Sequence, residues 1–330
     1  MEYSSIKGVD KKCSRFIIGT MQIHEYDGPE EELVKLDAAW ERGCNVIDSA
    51  HGYGYPNEGS TETALGKWVK SRGLKREDFV LTTKCAHTSL IRSRMHEYDM
   101  ESELHDSLVR WGVDYVDVLY LHRDDPDVPV SEIINALNKF KRQGLVRAFG
   151  AANWQIPRVK EANEYAEANG LTGFSIVEEH YSVCEMHGEP FMPGSGSISG
   201  PSYAEGRKYL IEKGIPVASY SALSGGFCVG RYTREQFETD PASIPRGVKA
   251  GYCYPDNFDR VDRIKALADY KGLSMAQVGM AYTMSSDLNV FPIIGARNTE
   301  ELESTLSTLD IRLSKAECDW IDLTSNERPF

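Results

Sequence analysis

The sequence predicts a single (β/α)8 barrel, and three features of the chain lead to this prediction. The length of 330 residues suits one large barrel, because α/β barrels often exceed about 250 residues in one unit. Eight short runs rich in β-branched residues alternate with amphipathic helical segments. Most of these runs, such as VDVLYL, are continuously apolar, as expected for parallel strands buried on both faces. A doubly wound parallel sheet is the alternative, but it would not usually need eight such units.

The predicted elements follow one another along the whole chain. The eight strands cover residues 16–19, 45–50, 79–84, 115–122, 148–152, 174–180, 216–221 and 290–295. Glycines typical of helix ends precede four of these strands: Gly43, Gly73, Gly144 and Gly214. Helix starts are indicated by Pro29, which three glutamates follow, and by three capping-box pairs: Ser274 with Gln277, Thr233 with Gln236, and Ser314 with Glu317.

Two stretches interrupt the alternation within the one predicted domain, residues 1–330. Residues 182–202 are rich in Gly, Ser and Pro and follow strand six, and residues 224–256 follow strand seven. Loops that follow the strands of a barrel lie at its carboxyl end, where active sites are built. Phe191 and Met192 stand among small residues, so the first insertion is predicted to be a mobile flap over the substrate. A passive surface insertion is the alternative, and residues 310–330 are predicted to add a terminal helix.

Composition and charge exclude several classes of partner. Lys and Arg total 37 against 50 Asp and Glu, and a net charge of -13 repels phosphate backbones, so nucleic acid is not expected. No apolar run reaches the roughly 18 residues of a membrane span, and the amino terminus lacks a signal-peptide pattern. Seven scattered cysteines without a CxxC motif suit a reducing compartment. We therefore expect a cytoplasmic protein that acts on a small molecule, and the sequence does not predict its oligomeric state.

Side chains able to transfer protons end three successive predicted strands. Asp48, Lys84 and His122 end strands two, three and four, and Tyr53 lies in the loop after strand two. The Lys84 ammonium is expected to lower the pKa of Tyr53 from about 10, while Asp48 holds Lys84 by a salt bridge. His122 is able to hydrogen-bond a substrate carbonyl. Each residue alone suits a structural role, but their joint placement at one rim indicates a site that delivers a proton.

The segments that carry these residues resemble the aldo-keto reductase superfamily. They are NVIDSAHGYGYPNEGSTETALG, LTTK and LYLHRDDP, and the resemblance continues through RAFGAANW, ASYSALSGG and PIIGARNTEELESTL. It covers nearly the full chain in the expected order. It implies a barrel that binds a nicotinamide cofactor across its carboxyl end, without a Rossmann domain, and converts an aldehyde or ketone to an alcohol or the reverse. The catalytic residues that it implies are Asp48, Tyr53, Lys84 and His122.

The resemblance also implies where the cofactor binds. Asn153 lies where the family binds the carboxamide, and Tyr220 where an aromatic ring stacks on the nicotinamide. Glu178 lies where a glutamine is usual, so the contact would need a proton on Glu178 or a reoriented carboxamide. Arg297 is implied to clamp a 2′-phosphate, which favours NADP over NAD. NAD stays possible because Glu301 replaces a basic residue that is often seen there. The other implied positions are Gly19, Thr20, Met21, Asp48, Ser221, Leu223, Ser224, Gly226, Ile294, Gly295, Ser304 and Thr305.

The substrate is left open by the sequence. The candidate pocket residues are His24, Tyr26, His87 and Trp154, and aromatic walls with polar tips suit sugars, steroids and aromatic aldehydes alike. No metal is expected, because His180, Cys184 and His187 lack an evident fourth ligand. The alternative function is a cofactor-binding regulatory or redox-sensing barrel with little turnover, like the channel-associated β subunits of the superfamily. Steady turnover of test carbonyls would discriminate the two, and a metal-dependent hydrolase is a distant third.

Overall fold

The computed structural model describes residues 1–23, 29–89, 91–190 and 194–330 of the chain. In these residues the strands are β1 (Tyr3–Ser4), β2 (Cys13–Ser14), β3 (Ile17–Gly19), β4 (Val46–Asp48), β5 (Val80–Cys85), β6 (Val116–Leu121), β7 (Val146–Ala152), β8 (Phe174–His180), β9 (Val217–Tyr220) and β10 (Val290–Ile294). The helices are α1 (Glu30–Glu41), α2 (Ser60–Ser71), α3 (Glu97–Trp111), α4 (Val130–Arg142), α5 (Ile156–Ala168), α6 (Ala204–Lys213), α7 (Arg234–Thr239), α8 (Arg246–Tyr252), α9 (Pro255–Lys271), α10 (Met275–Met284), α11 (Thr299–Leu306) and α12 (Lys315–Ile321).

The strands β3 to β10 form a closed barrel in the order β10-β3-β4-β5-β6-β7-β8-β9. The fold is therefore the predicted (β/α)8 barrel. All eight predicted strands are confirmed, with bounds that agree within two residues. The short antiparallel pair of β1 and β2 was not predicted, because strands of two residues carry no periodic signal.

The register between neighbouring strands sets which polar side chains meet. Asp48 of β4 lies beside Thr82 of β5, and Lys84 of β5 lies beside Tyr120 of β6. Gly150 of β7 is the next partner of Tyr120, and a Cβ atom there would lie 2.2 Å from the Tyr120 ring. Only glycine therefore leaves room for this ring in the barrel.

Most of the predicted helix ends are also found. Ser274 and Ser314 make both hydrogen bonds of a capping box. Thr233 caps α7 by accepting from the Gln236 amide, but the Gln236 side chain donates to Ser243 instead of returning to Thr233, so that capping box is incomplete. The four glycines predicted at helix ends all have positive φ angles: Gly43, Gly73, Gly144 and Gly214.

Contacts within the chain divide it into two compact units. The first unit comprises Met1–Glu178 and Gly295–Thr299, and the second comprises Glu179–Ile294 and Glu300–Phe330. The second unit has an apolar core of its own, to which Phe227, Ile264 and Trp320 contribute. That residues 1–330 act as a single domain stays a prediction. Within the described ranges, no helix is long and apolar enough to cross a bilayer.

Candidate active site

Lys84 lies at the centre of a buried ion cluster in the first unit. Its ammonium donates to Asp48 Oδ2 at 2.6 Å and to the Ser49 carbonyl at 3.0 Å. Thr82 Oγ1 donates to the other oxygen of Asp48 at 2.7 Å, so the carboxylate is fixed in place. Burial alone would lower the pKa of Lys84, but the neighbouring carboxyl groups, Asp48 first and then Glu178, raise it above its ordinary value. Lys84 is therefore a permanent ammonium.

Glu178 supplies a second carboxyl group to the same ammonium. Its Oε1 lies 3.2 Å from Lys84 Nζ, and the residue is 4% exposed. Burial, together with the neighbouring charge of Asp48, raises the pKa of Glu178 to about 8. Its second oxygen, Oε2, has no hydrogen-bond partner among the described residues. Glu178 therefore favours its neutral form more than an ordinary glutamate does, and its contact with a cofactor stays a prediction.

The ammonium of Lys84 lies over the ring of Tyr53, but the pKa of Tyr53 differs from the prediction. The ammonium is 5.2 Å from the centroid of the Tyr53 ring. Burial raises the pKa of Tyr53 to about 12, and this effect exceeds the lowering by the Lys84 charge, while Asp48 and Glu178 add to the rise. The predicted net lowering of the Tyr53 pKa is wrong, because sequence shows the charge of Lys84 but not the loss of water around the phenol.

His122 completes the predicted group. Its ring lies edge-on to Tyr53, with 5.8 Å between the ring centroids. Burial, followed by the charge of Lys84, lowers the pKa of His122 well below its ordinary value, so the imidazole is neutral. Its Nδ1 atom is buried without a hydrogen-bond partner in the described part of the chain. The structure therefore brings together the three residues predicted at the strand ends and Tyr53 of the loop after strand two.

The loop that carries Tyr53 is held by a buried network that the sequence did not reveal. Glu62 of α2 is fully buried and accepts hydrogen bonds from Thr83, Ser107, Arg110 and Trp111. Arg110 also donates to the carbonyl oxygen of His51 at 3.1 Å, which ties α3 to this loop. The partners of Glu62 are 21 to 49 residues away in the chain, so no local motif signals the network.

Two sets of predicted cofactor residues in the first unit contact the residues of the ion cluster or their neighbours: Asn153 after β7, and Gly19, Thr20 and Met21 at the end of β3. Asn153 has a φ of 60°, and its side-chain amide donates to the His122 carbonyl at 3.2 Å. Its backbone N–H donates to the Glu178 carbonyl at 3.1 Å. Gly19 ends β3, Thr20 Oγ1 donates to the Asp48 carbonyl at 2.7 Å, and Met21 is 51% exposed. These contacts fix the backbone around the ends of β3 and β7.

The segment 295–299 presents Arg297 at the surface of the first unit. Lys35 of α1 donates to the carbonyl oxygens of Ala296 at 2.7 Å and Arg297 at 3.4 Å, and also pairs with Glu32. Gly295 and Arg297 themselves are exposed. The anchoring by Lys35 was missed at the sequence level, because the two segments are 261 residues apart.

The predicted cofactor residues of the second unit lie on two strand ends, a tight turn and one helix. Tyr220 ends β9, and its hydroxyl donates to the Gly196 carbonyl at 2.7 Å. The turn that follows has positive φ angles at Ser221, Ser224 and Gly226. Ser224 is fully buried, and its hydroxyl lies 2.8 Å from that of Ser182. The remaining predicted positions are Leu223, which is partly buried, Ile294 at the end of β10, and Glu301, Ser304 and Thr305 on α11.

The insertion 182–202 is largely packed rather than open. His180 is fully buried and meets the hydroxyls of Ser182, Ser197 and Ser199 at 3.0 to 3.3 Å, and burial lowers its pKa to about 3. Residues 196–200 are buried, which corrects the predicted mobile flap for this half of the insertion. Ser182, Ser197 and Ser199, three of the small residues of this insertion, contact a buried imidazole instead. Phe191 and Met192 lie outside the described residues.

The predicted pocket and metal residues have mixed outcomes. His24 and Tyr26 lie outside the described residues. His87 is half-buried with its ring 4.7 Å from that of His122, whereas Trp154 is 1% exposed and packs on Phe174, which leaves it little surface to offer a substrate. Both pocket assignments stay predictions. No group of three potential metal ligands is found in the described ranges, and the absence of a metal likewise stays a prediction.

Comparisons with known proteins give a consistent result. Residues 15–325 match the profile of the Aldo/keto reductase family. The chain is 27% identical to the aldo-keto reductase yakc of Schizosaccharomyces pombe, whose name specifies NADP(+), over 90% of this chain and 84% of that protein. It is 25% identical to versiconal hemiacetal acetate reductase of Aspergillus parasiticus, over 98% and 96%. It is 26% identical to a probable aryl-alcohol dehydrogenase of Saccharomyces cerevisiae, over 89% and 87%.

Proposed function

The chain belongs to the aldo/keto reductase family and is an oxidoreductase, and we propose that it reduces a small aldehyde or ketone to an alcohol with Tyr53 as proton donor. A bound nicotinamide cofactor, NADP in preference to NAD, supplies the hydride in this proposal. The observation that carries it is the buried ammonium of Lys84 between two carboxyl groups and beside Tyr53.

Tyr53 suits the role of a proton donor because it stays protonated until the substrate needs the proton. With a pKa raised to about 12, its hydroxyl is intact at neutral pH. An alkoxide is more basic than a phenolate, so the reduced substrate oxygen takes the proton from Tyr53. The Lys84 ammonium then faces the phenolate in a site with little water, where its stabilising charge has the greatest effect. Asp48 keeps that ammonium in place.

His122 is suited to orient the carbonyl group rather than to protonate it. Its lowered pKa makes the imidazole neutral, and a neutral imidazole still has one N–H to donate to a carbonyl oxygen. The edge-on contact with Tyr53 brings this donor to the same side of the site as the phenol. Two donors on one oxygen fix its position, which reduces the entropy lost on the way to the transition state.

Glu178 balances the charge of the cluster. With Asp48 ionised, Lys84 charged and Glu178 neutral, the three groups carry no net charge at pH 7. An ionised Glu178 would add a negative charge near Tyr53 and make its proton harder to remove. We therefore assign Glu178 to the control of proton transfer, in addition to the cofactor contact implied by the resemblance.

The residues available to hold a cofactor are consistent with a dinucleotide phosphate. Arg297 is exposed on a segment whose backbone Lys35 anchors, and a guanidinium binds a phosphate with two parallel hydrogen bonds. Asn153 offers a side-chain amide beside His122, and Met21 offers an exposed apolar surface at the end of β3. Five implied positions on the second unit are part of the same proposal: Tyr220, Ser221, Leu223, Ser224 and Gly226.

Substitution of Tyr53 by Phe tests the proposed chemistry. Tyr53→Phe keeps the ring and removes the proton, so kcat for carbonyl reduction should fall by about 10²-fold or more. Cofactor binding, followed by quenching of protein fluorescence, should be retained. Tyr55 lies in the same loop and is 81% exposed, so Tyr55→Phe is the matched control and should keep wild-type turnover. A Tyr53→Phe protein with near wild-type kcat would exclude Tyr53 as the donor.

The regulatory alternative is not favoured, because the relatives described above are named as reductases or dehydrogenases. We propose a cytoplasmic location as well. Its support is that all seven cysteines are free thiols, which suits a reducing compartment.

A further inference from the structure

His87 extends the row of rings that begins at Tyr53. The centroid of the His122 ring lies 5.8 Å from that of Tyr53 and 4.7 Å from that of His87, and the two imidazoles are nearly perpendicular. His87 is only half-buried, two residues beyond the end of β5. A substrate whose carbonyl group meets Tyr53 and His122 therefore has a second imidazole within reach of its neighbouring atoms.

The hydrogen bonding of His87 determines which of its nitrogens can accept. Nδ1 lies 3.0 Å from the carbonyl oxygen of Thr88. A carbonyl oxygen only accepts, so Nδ1 carries the hydrogen. Burial lowers the pKa of His87, so the ring is neutral at pH 7 and carries only that one hydrogen. Nε2 is therefore a hydrogen-bond acceptor, and no hydrogen bond to it is found from the part of the chain that the structure describes.

The backbone that presents His87 is held from α3. Ala86 has a φ of 60°, which is uncommon for a residue with a side chain, and its N–H donates to Glu103 Oε2 at 2.6 Å. Glu103 is 4% exposed and its other oxygen accepts from Arg94. An unusual conformation that is fixed by a buried carboxylate indicates that the position of the next side chain matters.

We propose that His87 determines specificity by accepting a hydrogen bond from a hydroxyl group next to the substrate carbonyl. The enzyme then prefers hydroxyaldehydes and hydroxyketones to carbonyl compounds that lack the hydroxyl. This inference rests on the proposed function, because it takes the carbonyl group to lie at Tyr53 and His122. A neutral acceptor gives no hydrogen bond to a carboxylate, which also only accepts, so oxo acids are poor substrates.

Two aldehydes of nearly equal shape test this preference. Lactaldehyde and isobutyraldehyde differ by a hydroxyl group in place of a methyl group, and both are assayed with the wild-type holoenzyme. We expect kcat/KM to be about tenfold higher for lactaldehyde, because isobutyraldehyde lacks the hydroxyl group that would donate to His87. A tenfold change is the usual effect of losing one such hydrogen bond. Pyruvate, which has a carboxylate next to the carbonyl, should be reduced more slowly than either.

His87→Phe keeps an aromatic ring and removes the acceptor, so the ratio of the two kcat/KM values should fall to about one. His87→Gln returns an acceptor oxygen and should restore a several-fold preference. His105 is an exposed histidine on α3, and His105→Phe is the matched control that should keep the tenfold ratio. A ratio within one preparation does not depend on how much of the protein is folded.

The outcomes separate this inference from the proposed function. Equal kcat/KM values for both aldehydes in the wild type, or a tenfold preference that persists in His87→Phe, would overturn the role of His87 while turnover still supports carbonyl reduction. Failure of the wild type to reduce any aldehyde with either cofactor would overturn both.

Discussion

Strands β5 and β6 carry a buried ion cluster near each of their two ends, and the two clusters are built in opposite ways. Near the amino end, the single carboxylate of Asp117 accepts from Lys11 at 3.1 Å, Arg76 at 2.6 Å and the Leu81 amide at 2.8 Å. Near the carboxyl end, the single ammonium of Lys84 lies between two carboxyl groups. In the first cluster one carboxylate accepts from several donors, and in the second one ammonium is shared by two carboxyl groups.

The difference between the clusters lies in what is left without a partner. Around Lys84, four polar atoms are buried without a hydrogen bond within the described chain: Ser49 Oγ, Tyr120 Oη, His122 Nδ1 and Glu178 Oε2. Each such atom costs about 1–3 kcal/mol of stability, so the fold tolerates a concentration of them only for another reason. Around Asp117 the carboxylate is saturated by donors. The satisfied cluster around Asp117 therefore suits a stabilising role, whereas the unpartnered atoms around Lys84 suit the proposed chemistry.

Removal of Asp117 should cause a greater loss than any other change proposed here, and the loss is one of stability. Asp117→Ala leaves the cations of Lys11 and Arg76 close together without a carboxylate. It also removes the hydrogen-bond acceptor of the Leu81 amide. Breaking a buried ion pair of this kind should lower the free energy of unfolding by about 3 kcal/mol or more. Denaturant unfolding measures this value, and kcat/KM well below the melting temperature should stay near that of the wild type.

The control for this change is Asp114→Ala, which removes an exposed carboxylate three residues earlier and should alter stability by less than about 0.5 kcal/mol. If Asp117→Ala keeps wild-type stability but loses turnover, the proposed division between a stabilising and a chemical cluster is wrong.

Sequence predicted the barrel and the strand-end residues because both depend on local patterns. The alternation of apolar runs with helices predicted β3 to β10, and an acid, a lysine and a histidine at successive strand ends predicted the buried cluster around Lys84. Sequence could not predict contacts between distant segments, such as Lys11 with Asp117 or Lys35 with Ala296. It also missed the raised pKa of Tyr53, because the pattern shows which charges are near but not how little water surrounds them.

The next effect in size is the pH dependence of stability that Glu178 contributes. Its pKa rises from 4.5 to about 8 on folding, so the folded state keeps a proton that the unfolded state releases. The stability associated with this proton is fully present below about pH 4.5 and is lost as the pH rises through about 8. The wild type should therefore lose roughly 3 kcal/mol of unfolding free energy relative to Glu178→Gln between about pH 5 and pH 8.

Unfolding curves at several pH values, recorded in parallel for the wild type and Glu178→Gln, check this difference. Glu167→Gln replaces an exposed glutamate on α5 and should follow the wild type at every pH. Parallel stability profiles for the wild type and Glu178→Gln would mean that Glu178 is already ionised near neutral pH, and the neutral cluster proposed around Lys84 would then be incorrect.

The smallest expected effect concerns a basic group outside both clusters. Arg297 is exposed, so its removal should change ligand affinity rather than stability. If it binds a 2′-phosphate, Arg297→Ala should raise the Kd for NADPH by about tenfold and leave that for NADH nearly unchanged, because only NADPH has this group. Fluorescence titrations with each cofactor measure both constants. Arg42→Ala, which removes an exposed arginine after α1, should change neither. Equal weakening of both cofactors by Arg297→Ala would assign Arg297 to the support of the 295–299 segment instead.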